Sequence, residues 1–267
     1  MTSETLKTVT KIKARKIDLD KRMDKFEEEL VAIEAPVKFF LNEEPLITIM
    51  ALPSNLKEMA IGFLVDEGII PRRQDILNIL INKNEVWVRS KKVDRKRLKS
   101  IIEKGVIMTS CSSRADFYRV IGEIEKRPLK KNYYVEAKDI FEMVKESASK
   151  STLFRTTGGV HSASIFVDNI LRGFAEDVGR HNAVDKAIGI CLDSDIQLER
   201  AILITSGRQT ADTIIKATRC KIPISVSMRA PLSSGIYAAE LTGITLICFV
   251  RGRKMNIYSH PERMKSL

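Results

Sequence analysis

The stretch AILITSGRQTADTIIKATRCKIPISVS, from Ala201 to Ser227, decides the fold class. AILIT is a short apolar run typical of a buried strand, SGRQT is a polar loop, and ADTIIKATR has the spacing of an amphipathic helix. IPISVS predicts a second strand, PLSSGIYAAELTG a second helix and ITLICFV a third strand. Strands that alternate with helices through short loops favour a parallel sheet with right-handed crossovers, so we expect a mostly parallel βαβαβ sheet in an α/β protein.

The segments before this sheet predict a smaller α+β part. VKFFLNEEPLITIMALP predicts two strands joined at Asn42 to Pro45, and the next helix is expected to begin at Ser54 and to stop at Gly68. After this part, within the core, ASIFVDNILRGFAEDVGRH predicts two strands joined at Asp168–Asn169. The first thirty residues are dense in charge and predict an extended or helical lead-in. We therefore divide the chain into a charged N-terminal extension (1–30), an N-terminal α+β part (31–115) and an α/β core (116–267).

Composition limits the classes of function. The chain has 267 residues, of which 44% are hydrophobic and 30% charged, and this balance argues against wholesale disorder. No apolar run approaches the roughly 20 residues that cross a bilayer. The N-terminus lacks the apolar core of a secretory signal. We therefore expect a cytoplasmic protein that does not bind a membrane.

The net charge of +11 gives the protein a surface that attracts polyanions. Much of the excess lies in residues 1–26 and in KKVDRKRLK, Lys91 to Lys99. These runs are equally typical of solvated faces. Since no recognition helix, zinc finger or ribonucleoprotein motif accompanies them, nucleic acid is not an expected partner.

Three loops carry residues suited to an anionic ligand. Two of them, AEDVGRHNAVDK and SGRQT, immediately precede predicted helices, whose N-termini favour anions, and TTGGVHSA holds paired glycines that allow close approach of a bound group. Each loop also has a structural interpretation. TTGGVHSA fits a turn with a hydrogen-bonded histidine, AEDVGRHNAVDK a helix cap with surface ion pairs, and SGRQT an ordinary α/β loop. The candidate binding residues in these loops are Gly158, Gly159, His161, Arg180, His181, Ser206, Gly207 and Arg208.

The chain has four cysteines and no CxxC spacing. Cys191 lies on the apolar face of a predicted helix and Cys248 within a predicted buried strand, which is typical of core residues, whereas Cys220 fits either class. Cys111 differs because it lies in the polar stretch IMTSCSSRADF. Arg114 is three residues away and favours the thiolate, which is the reactive form.

A zinc deaminase requires HxE and PCxxC motifs, which supply three metal ligands and a proton shuttle. Here Ser162 and Ala163 follow His161, and PCxxC is absent. We therefore expect no catalytic zinc. A redesigned hydrolase on the deaminase scaffold is a third, minor alternative to the functions considered next.

Several stretches, in this order, resemble the formate dehydrogenase accessory sulfurtransferase family, known as FdhD. They are NEEPLITI, EMAIGFLVDEGII, TTGGVHSASIF, EDVGRHNAVDKAIG, SGRQTADTIIKATRCKIPISVS and APLSSGIYAAELTGITLICFVRGRKMNIYSHPER, and together they span about 43–263. EDVGRHNAVDK is long and specific to the family.

The resemblance implies a cytidine-deaminase-like core and a likewise cytoplasmic, homodimeric protein. It implies that sulfur arrives as a persulfide from a cysteine desulfurase. The sulfur then passes to the bis(molybdopterin guanine dinucleotide) molybdenum or tungsten cofactor, which enters formate dehydrogenase. The family's cofactor-binding stretch corresponds to FVRGRK, directly after the third predicted strand, and comprises Phe249, Val250, Arg251, Gly252, Arg253 and Lys254.

The family's sulfur-carrying loop is typically CxxC, and here it corresponds to Cys111-Ser112-Ser113-Arg114. The resemblance therefore implies that Cys111 bears the persulfide. A second thiol would help to release the sulfur by forming a disulfide, and Arg114 occupies its position. The departure leaves open an alternative: a chaperone that holds the cofactor without transferring sulfur.

Overall fold

The computed structural model describes residues 8–102, 129 and 133–265. The predicted sulfur-carrying Cys111 and the neighbouring Arg114 therefore lie outside the described residues. The strands are β1 (Val9–Asp18), β2 (Met23–Ala32), β3 (Ala35–Leu41), β4 (Glu44–Ala51), β5 (Ile76–Asn82), β6 (Glu85–Ser90), β7 (His161–Val167), β8 (Ile170–Asp177), β9 (Ala201–Thr205), β10 (Ile224–Ser227), β11 (Thr245–Arg251) and β12 (Lys254–Ser259). The helices are α1 (Leu56–Asp66), α2 (Arg95–Ile102), α3 (Ala137–Lys150), α4 (Thr152–Thr157), α5 (Arg180–Asp193), α6 (Ala211–Arg219) and α7 (Ser233–Thr242), with 3-10 turns at Arg73–Asp75 and Pro261–Arg263.

The central sheet has six strands in the order β12-β11-β10-β9-β7-β8. Strands β9, β10 and β11 are parallel, and α6 and α7 connect them, so the predicted βαβαβ unit is confirmed. Strand β7 runs antiparallel to both β8 and β9, and β12 runs antiparallel to β11. The α/β class follows from this sheet and its helices.

Helices cover both faces of the six-stranded sheet, because its central strands are apolar on both sides. On one face, α5, α6 and α7 pack against residues such as Leu203 and Leu246. On the other face, α3 packs against Phe166 and Ile202. The six-stranded sheet therefore lies between two layers of helices. Within the described residues, no helix has the length and apolar character needed to span a bilayer.

A second sheet, of four strands in the order β4-β3-β6-β5, forms the N-terminal part with α1. Helix α1 also packs against α5, and glycines set the distance between them. A Cβ on Gly62 would lie 1.8 Å from the carbonyl oxygen of Asp185, and one on Gly189 would lie 1.8 Å from that of Glu58. The two helix backbones are therefore in direct contact.

A buried lysine joins three helices at the same interface. Lys216 of α6 places its Nζ 2.6 Å from Asp66, 2.8 Å from Asp185 and 2.9 Å from Glu67. Burial, together with the neighbouring Asp185, raises the pKa of Asp66 well above its usual value. This cluster fixes α1 and α5 against α6.

Two sequence predictions need correction at element ends. The helix expected at Ser54 begins at Leu56, after Asn55, whose backbone is left-handed with φ 50° and whose side chain makes no capping bond. The helix ends at Asp66, and Gly68, with φ +73°, follows as expected of a helix stop. FVRGRK does not follow the third parallel strand, because β11 extends to Arg251.

The charged N-terminal residues form a two-stranded hairpin. Strand β1 pairs with β2 in register from Val9↔Ala32 to Asp18↔Met23, so the extended alternative of the prediction is confirmed for the described part. The hairpin ends at Ala32, two residues beyond the predicted boundary at 30. At its base, Ile33 donates its backbone N–H to the carbonyl of Thr8 at 2.9 Å. The division at 115 falls outside the described residues.

Candidate anion-binding site at the carboxyl edge of the sheet

The three predicted loops meet at one edge of the six-stranded sheet. SGRQT follows the carboxyl end of β9, and β7 begins at His161 beside it, because Ala163 pairs with Thr205 in antiparallel register. Strand β8 ends at the same edge with Asp177, opposite His161, and α5 then begins at Arg180. In open α/β sheets this edge is where ligands bind.

A buried polar network holds the SGRQT loop. The Gln209 side chain is fully buried and donates to the hydroxyl of Thr205 at 2.8 Å. It accepts a hydrogen bond from Ser225 at 3.1 Å, and the hydroxyl of Ser227 donates to the carbonyl of Gly207 at 2.6 Å. Since each of these groups is satisfied, the loop has a defined shape, and Arg208 remains exposed on its outer side.

His161 and Ser206 are paired at this edge. The Nδ1 atom of His161 lies 3.3 Å from the hydroxyl of Ser206, which accepts the backbone N–H of Ser162 at 2.9 Å. A hydroxyl has one donor and two acceptor sites, so Ser206 can donate to an unprotonated Nδ1 or accept from a protonated one. Burial, followed by the positive charges of Arg180 and Arg229, lowers the pKa of His161. The imidazole is therefore neutral at neutral pH, a state in which one ring nitrogen donates and the other accepts a hydrogen bond.

Arg180 is the first residue of α5 and packs against the SGRQT loop. A Cβ on Gly207 would lie 3.0 Å from the Cβ of Arg180, so glycine permits this close contact. The Nε of Arg180 is buried and has no hydrogen-bond partner among the described residues. A buried donor without a partner is costly, and an anion at the N-terminus of α5 would satisfy it.

Arg229 completes the basic edge and was not among the predicted residues. Its backbone N–H donates to the hydroxyl of Ser227 at 2.9 Å, and its carbonyl accepts the N–H of Phe249 at 3.2 Å. The arginine thus links the end of β10 to the FVRGRK stretch, and its side chain is exposed. Its position directly after a parallel strand is the signal that could have identified it, as it identified SGRQT.

His181, the second residue of α5, has a different polar partner from that of His161. Its Nε2 is 3.4 Å from the hydroxyl of Thr210, the residue that precedes α6. Burial, followed by the charge of Arg180, lowers the pKa of His181 to about 4. The two predicted histidines therefore have different surroundings, and a direct contact of His181 with a ligand stays a prediction.

Much of the EDVGRHNAVDK motif serves the fold. The fully buried pair of Asp177 and Lys186 is 2.6 Å apart. The Asp177 carboxylate also accepts the N–H of Leu52 at 3.1 Å, that of Gly179 at 2.8 Å and the amide of Asn182 at 2.9 Å. These contacts hold the start of α5 against the chain that enters α1. They leave Arg180 as the motif's charged side chain at the edge.

The paired glycines of TTGGVHSA have a local explanation. Gly158 ends α4 with a left-handed backbone, φ +65°, and nothing lies within 4 Å of a Cβ built on it. Glu176 accepts the backbone N–H groups of Leu153 and Phe154 at 3.0 and 2.8 Å, so it caps the other end of α4. Gly158 and Gly159 are exposed just before His161, and their contact with a ligand stays a prediction.

FVRGRK forms the end of β11 and the turn into β12, two strands away from SGRQT, or about 10 Å. Phe249 is 38% exposed with a positive φ of 56°, Val250 is buried, and Gly252 turns the chain with φ +57°. A cleft of about 530 Å³ separates this turn from α3. Its lining includes residues that the sequence did not single out, such as Phe141 and Lys145, and comprises Lys138, Phe141, Glu142, Val144, Lys145, Ala148, Val250, Gly252 and Arg253.

The three described cysteines are buried and free. Burial raises the pKa of Cys191 and of Cys248 to about 12 and raises that of Cys220 well above its usual value. The core assignment of Cys191 and Cys248 is confirmed, and Cys220 belongs with them. All three remain thiols at neutral pH and are poor nucleophiles.

The chain is similar to proteins of known name over most of its length. A family model described as the FdhD/NarQ family matches residues 32–265. The sulfur carrier protein FdhD of Wolinella succinogenes is 33% identical over 251 residues, which cover 92% of this chain and 86% of that protein. The protein of the same name from Sulfolobus acidocaldarius is 35% identical over 259 residues, covering 94% of this chain and 98% of that protein.

A solved structure has a similar fold. The crystal structure of a protein from Desulfotalea psychrophila, described as a formate dehydrogenase accessory protein, matches with a TM-score of 0.79 and 28% sequence identity. The match covers 97% of this chain and 100% of that one. The hairpin of β1 and β2 lies almost entirely before the residues that the family model matches.

Proposed function

Because the chain belongs to the FdhD/NarQ family, we propose that it is a cytoplasmic sulfur carrier in the maturation of formate dehydrogenase. Its sulfur donor is a cysteine desulfurase. The recipient is the bis(molybdopterin guanine dinucleotide) cofactor of molybdenum or tungsten, which is the protein's substrate. The observation that carries the proposal is the inertness of three of the four cysteines, because it leaves Cys111 as the thiol for the chemistry.

The loading step uses one thiolate. Cys111 attacks the outer sulfur of the persulfide on the desulfurase, a new S–S bond forms, and the donor's S–S bond breaks. The donor cysteine leaves as a thiolate, so the exchange involves no net oxidation or reduction. In the family's CxxC loop, a second thiol releases the sulfur as sulfide while a disulfide forms. Arg114 holds that position here, so the releasing thiol comes from another molecule.

The basic edge of the sheet suits the cofactor. Guanine dinucleotides carry diphosphate groups, which guanidinium groups bind through paired hydrogen bonds. Arg180 and Arg229 lie close enough to His161 to lower its pKa, and Arg208 is exposed on the loop that holds Ser206. Arg180 also has a buried Nε without a partner in the described part of the chain. FVRGRK and its cleft extend the surface for the rest of the molecule.

Two further features belong to the proposal. The strand order β8-β7-β9-β10-β11, with β7 antiparallel to its neighbours, is what we expect of a cytidine-deaminase-like core.

We propose that the functional protein is a homodimer. Sedimentation of the full chain tests the dimer, and a monomer at micromolar concentration would contradict it.

Mass spectrometry tests the carrier role. The protein is incubated with a cysteine desulfurase and cysteine, and the Cys111 peptide is examined without reductant. One added sulfur atom on that peptide is expected, and a Cys191→Ala variant serves as the matched control. Sulfur on a different cysteine, with none on Cys111, would contradict the assignment.

A cofactor-holding chaperone without sulfur transfer is the second candidate. Arg114 in place of a second cysteine favours it, because the usual release chemistry is missing while the basic edge is present. A Cys111→Ala variant distinguishes the two functions. Full formate dehydrogenase activity with this variant would support the chaperone, and loss of activity with cofactor binding retained would support the carrier.

A further inference from the structure

A second, larger cleft lies outside the basic edge, where KKVDRKRLK leaves β6 and enters α2. Its volume is about 690 Å³, within the range of ligand and peptide sites. The four-stranded sheet contributes one wall, and α2 with the segment before it contributes the other. The lining comprises Leu41, Asn42, Glu44, Pro71, Ser90, Lys91, Lys92, Val93, Asp94, Arg95 and Leu98.

The rim of the cleft is basic. Lys92 and Arg95 are exposed, and neither forms an ion pair with any described residue. Lys91 is also exposed, and its Nζ is 3.9 Å from the carboxylate of the buried Asp75, too far for a hydrogen bond. Lys92 and Arg95 therefore have no anionic partner among the described residues, whereas Lys91 lies beside Asp75.

Two acidic residues also line the cleft, and the structure accounts for one of them. An oxygen of Asp94 accepts the backbone N–H groups of Lys96 and Arg97, both at 3.0 Å. This carboxylate therefore caps α2. Glu44 is exposed at the opposite wall, so the opening has two cations without an ion-pair partner among the described residues, Lys91 beside Asp75, and one exposed carboxylate.

The floor of the cleft is aliphatic. It is formed by Leu41, Pro71, Val93 and Leu98, and the described residues that line the cleft include no aromatic ring. Single-stranded nucleic acid binds by stacking its bases on aromatic side chains. An aliphatic floor inside a basic rim instead matches a peptide that carries both carboxylates and aliphatic side chains.

We propose that this cleft docks an acidic, leucine-bearing segment of the protein that supplies sulfur to Cys111. The donor part of the inference rests on the proposed function. The described part of α2 runs to Ile102, and Cys111 follows nine residues later in the sequence, so a donor held at the cleft is bound close along the chain to the accepting thiol. Docking raises the effective concentration of the donor's persulfide at Cys111.

Binding is tested with three labelled probes at low ionic strength, where charge contributes most. The probes are the peptide Glu-Glu-Leu-Glu-Glu-Leu-Glu-Glu, an octaglutamate and an oligothymidylate of the same length. Fluorescence anisotropy is expected to show the leucine peptide binding most tightly. The Lys92→Glu/Arg95→Glu variant is expected to weaken it by about tenfold, because two attractions become repulsions.

The matched control is Arg172→Glu, which reverses an exposed charge on β8, away from the cleft. It is expected to bind the leucine peptide as the unaltered chain does. Equal binding by the rim variant, no binding of the leucine peptide, or octaglutamate binding as tightly as that peptide would each overturn the proposal. Tighter binding of the oligothymidylate would overturn it in favour of nucleic acid.

Sulfur loading separates this inference from the function on which it rests. With limiting desulfurase, the rim variant is expected to load Cys111 about tenfold more slowly, while inorganic polysulfide, which needs no docking, loads both chains equally. Equal rates with the desulfurase would overturn the docking role. Failure of both donors to load Cys111 in the unaltered chain would contradict the carrier function, while the peptide measurements would still decide what the cleft binds.

Discussion

The Nζ atom of Lys186 lies 2.6 Å from Oδ2 of Asp177, and both side chains are fully buried. The same Nζ donates to the carbonyl of Leu52 at 2.9 Å, and the N–H of Leu52 donates back to Asp177 at 3.1 Å. Leu52, between β4 and α1, is therefore hydrogen-bonded to both members of the ion pair, Asp177 at the end of β8 and Lys186 in α5. Through the backbone of Leu52, the ion pair joins the N-terminal part to the core.

Lys186→Met is expected to lower the free energy of unfolding by about 3 to 5 kcal/mol, because it leaves Asp177 buried without its counter-charge. Denaturant unfolding measures the change. The Asp177→Asn/Lys186→Met variant keeps an acceptor for Leu52 and removes both charges, so it is expected to lose less stability than Lys186→Met alone. A greater loss in the double variant would contradict this explanation.

Gly62→Ala and Gly189→Ala are each expected to destabilise the protein by about 3 kcal/mol or more, because the new methyl group would overlap a backbone carbonyl of the facing helix. Thermal unfolding provides the measurement. Gly159→Ala is the control, since its Cβ would lie 3.5 Å from the nearest atom and its φ is not positive. A similar cost at all three positions would show that the helix contact is not responsible.

The pKa of His181, lowered to about 4, predicts a pH dependence of stability. The unfolded chain takes up a proton near the ordinary value of 6.5, whereas the native state excludes it until about pH 4. Stability from this residue is therefore complete above pH 6.5 and is lost as the pH falls from about 6.5 to about 4. His181→Gln is expected to reduce this loss by on the order of 1 to 2 kcal/mol, measured by denaturation at each pH. Identical profiles for the two proteins would contradict the assignment.

Arg229→Ala is expected to weaken the binding of guanosine diphosphate, the probe for the cofactor's nucleotide end, by about tenfold. A hydrogen bond to a charged group contributes roughly 1.5 to 3 kcal/mol, and the side chain is exposed, so the fold is not expected to change. Isothermal titration measures the affinity. Arg172→Ala on β8 is the control, and equal weakening by both variants would show a general effect of net charge.

The sequence predicts the central sheet because its pattern is local. AILIT and ITLICFV are short apolar runs, ADTIIKATR has helical spacing, and the rule for parallel sheets then places the SGRQT loop and Arg180 at one edge. The same rule applies to Arg229. Arg229 was not predicted because its loop contains no glycine or histidine that would indicate a ligand site.

Other features depend on residues far apart in the chain. EDVGRHNAVDK concentrates charge as a ligand site would, yet Asp177 and Lys186 bond to Leu52, more than a hundred residues earlier. Lys216 likewise pairs with Asp66 of α1. Sequence spacing contains no information on such distant partners. The charged residues of a structural ion pair therefore look the same in the sequence as those of a ligand-binding site. Only the fold distinguishes them.

The charges of the N-terminal hairpin made it hard to predict, and they also protect it from aggregation. Among the described residues each of its strands pairs only with the other, and such open edges readily join those of other chains and aggregate. Every cross-strand pair from Lys11↔Leu30 to Asp18↔Met23 contains at least one charged residue. The charges break the apolar alternation by which strands are usually identified, and they make stacking of one hairpin on another costly. The hairpin can therefore be exposed to solvent while its charges oppose pairing with the strands of other chains.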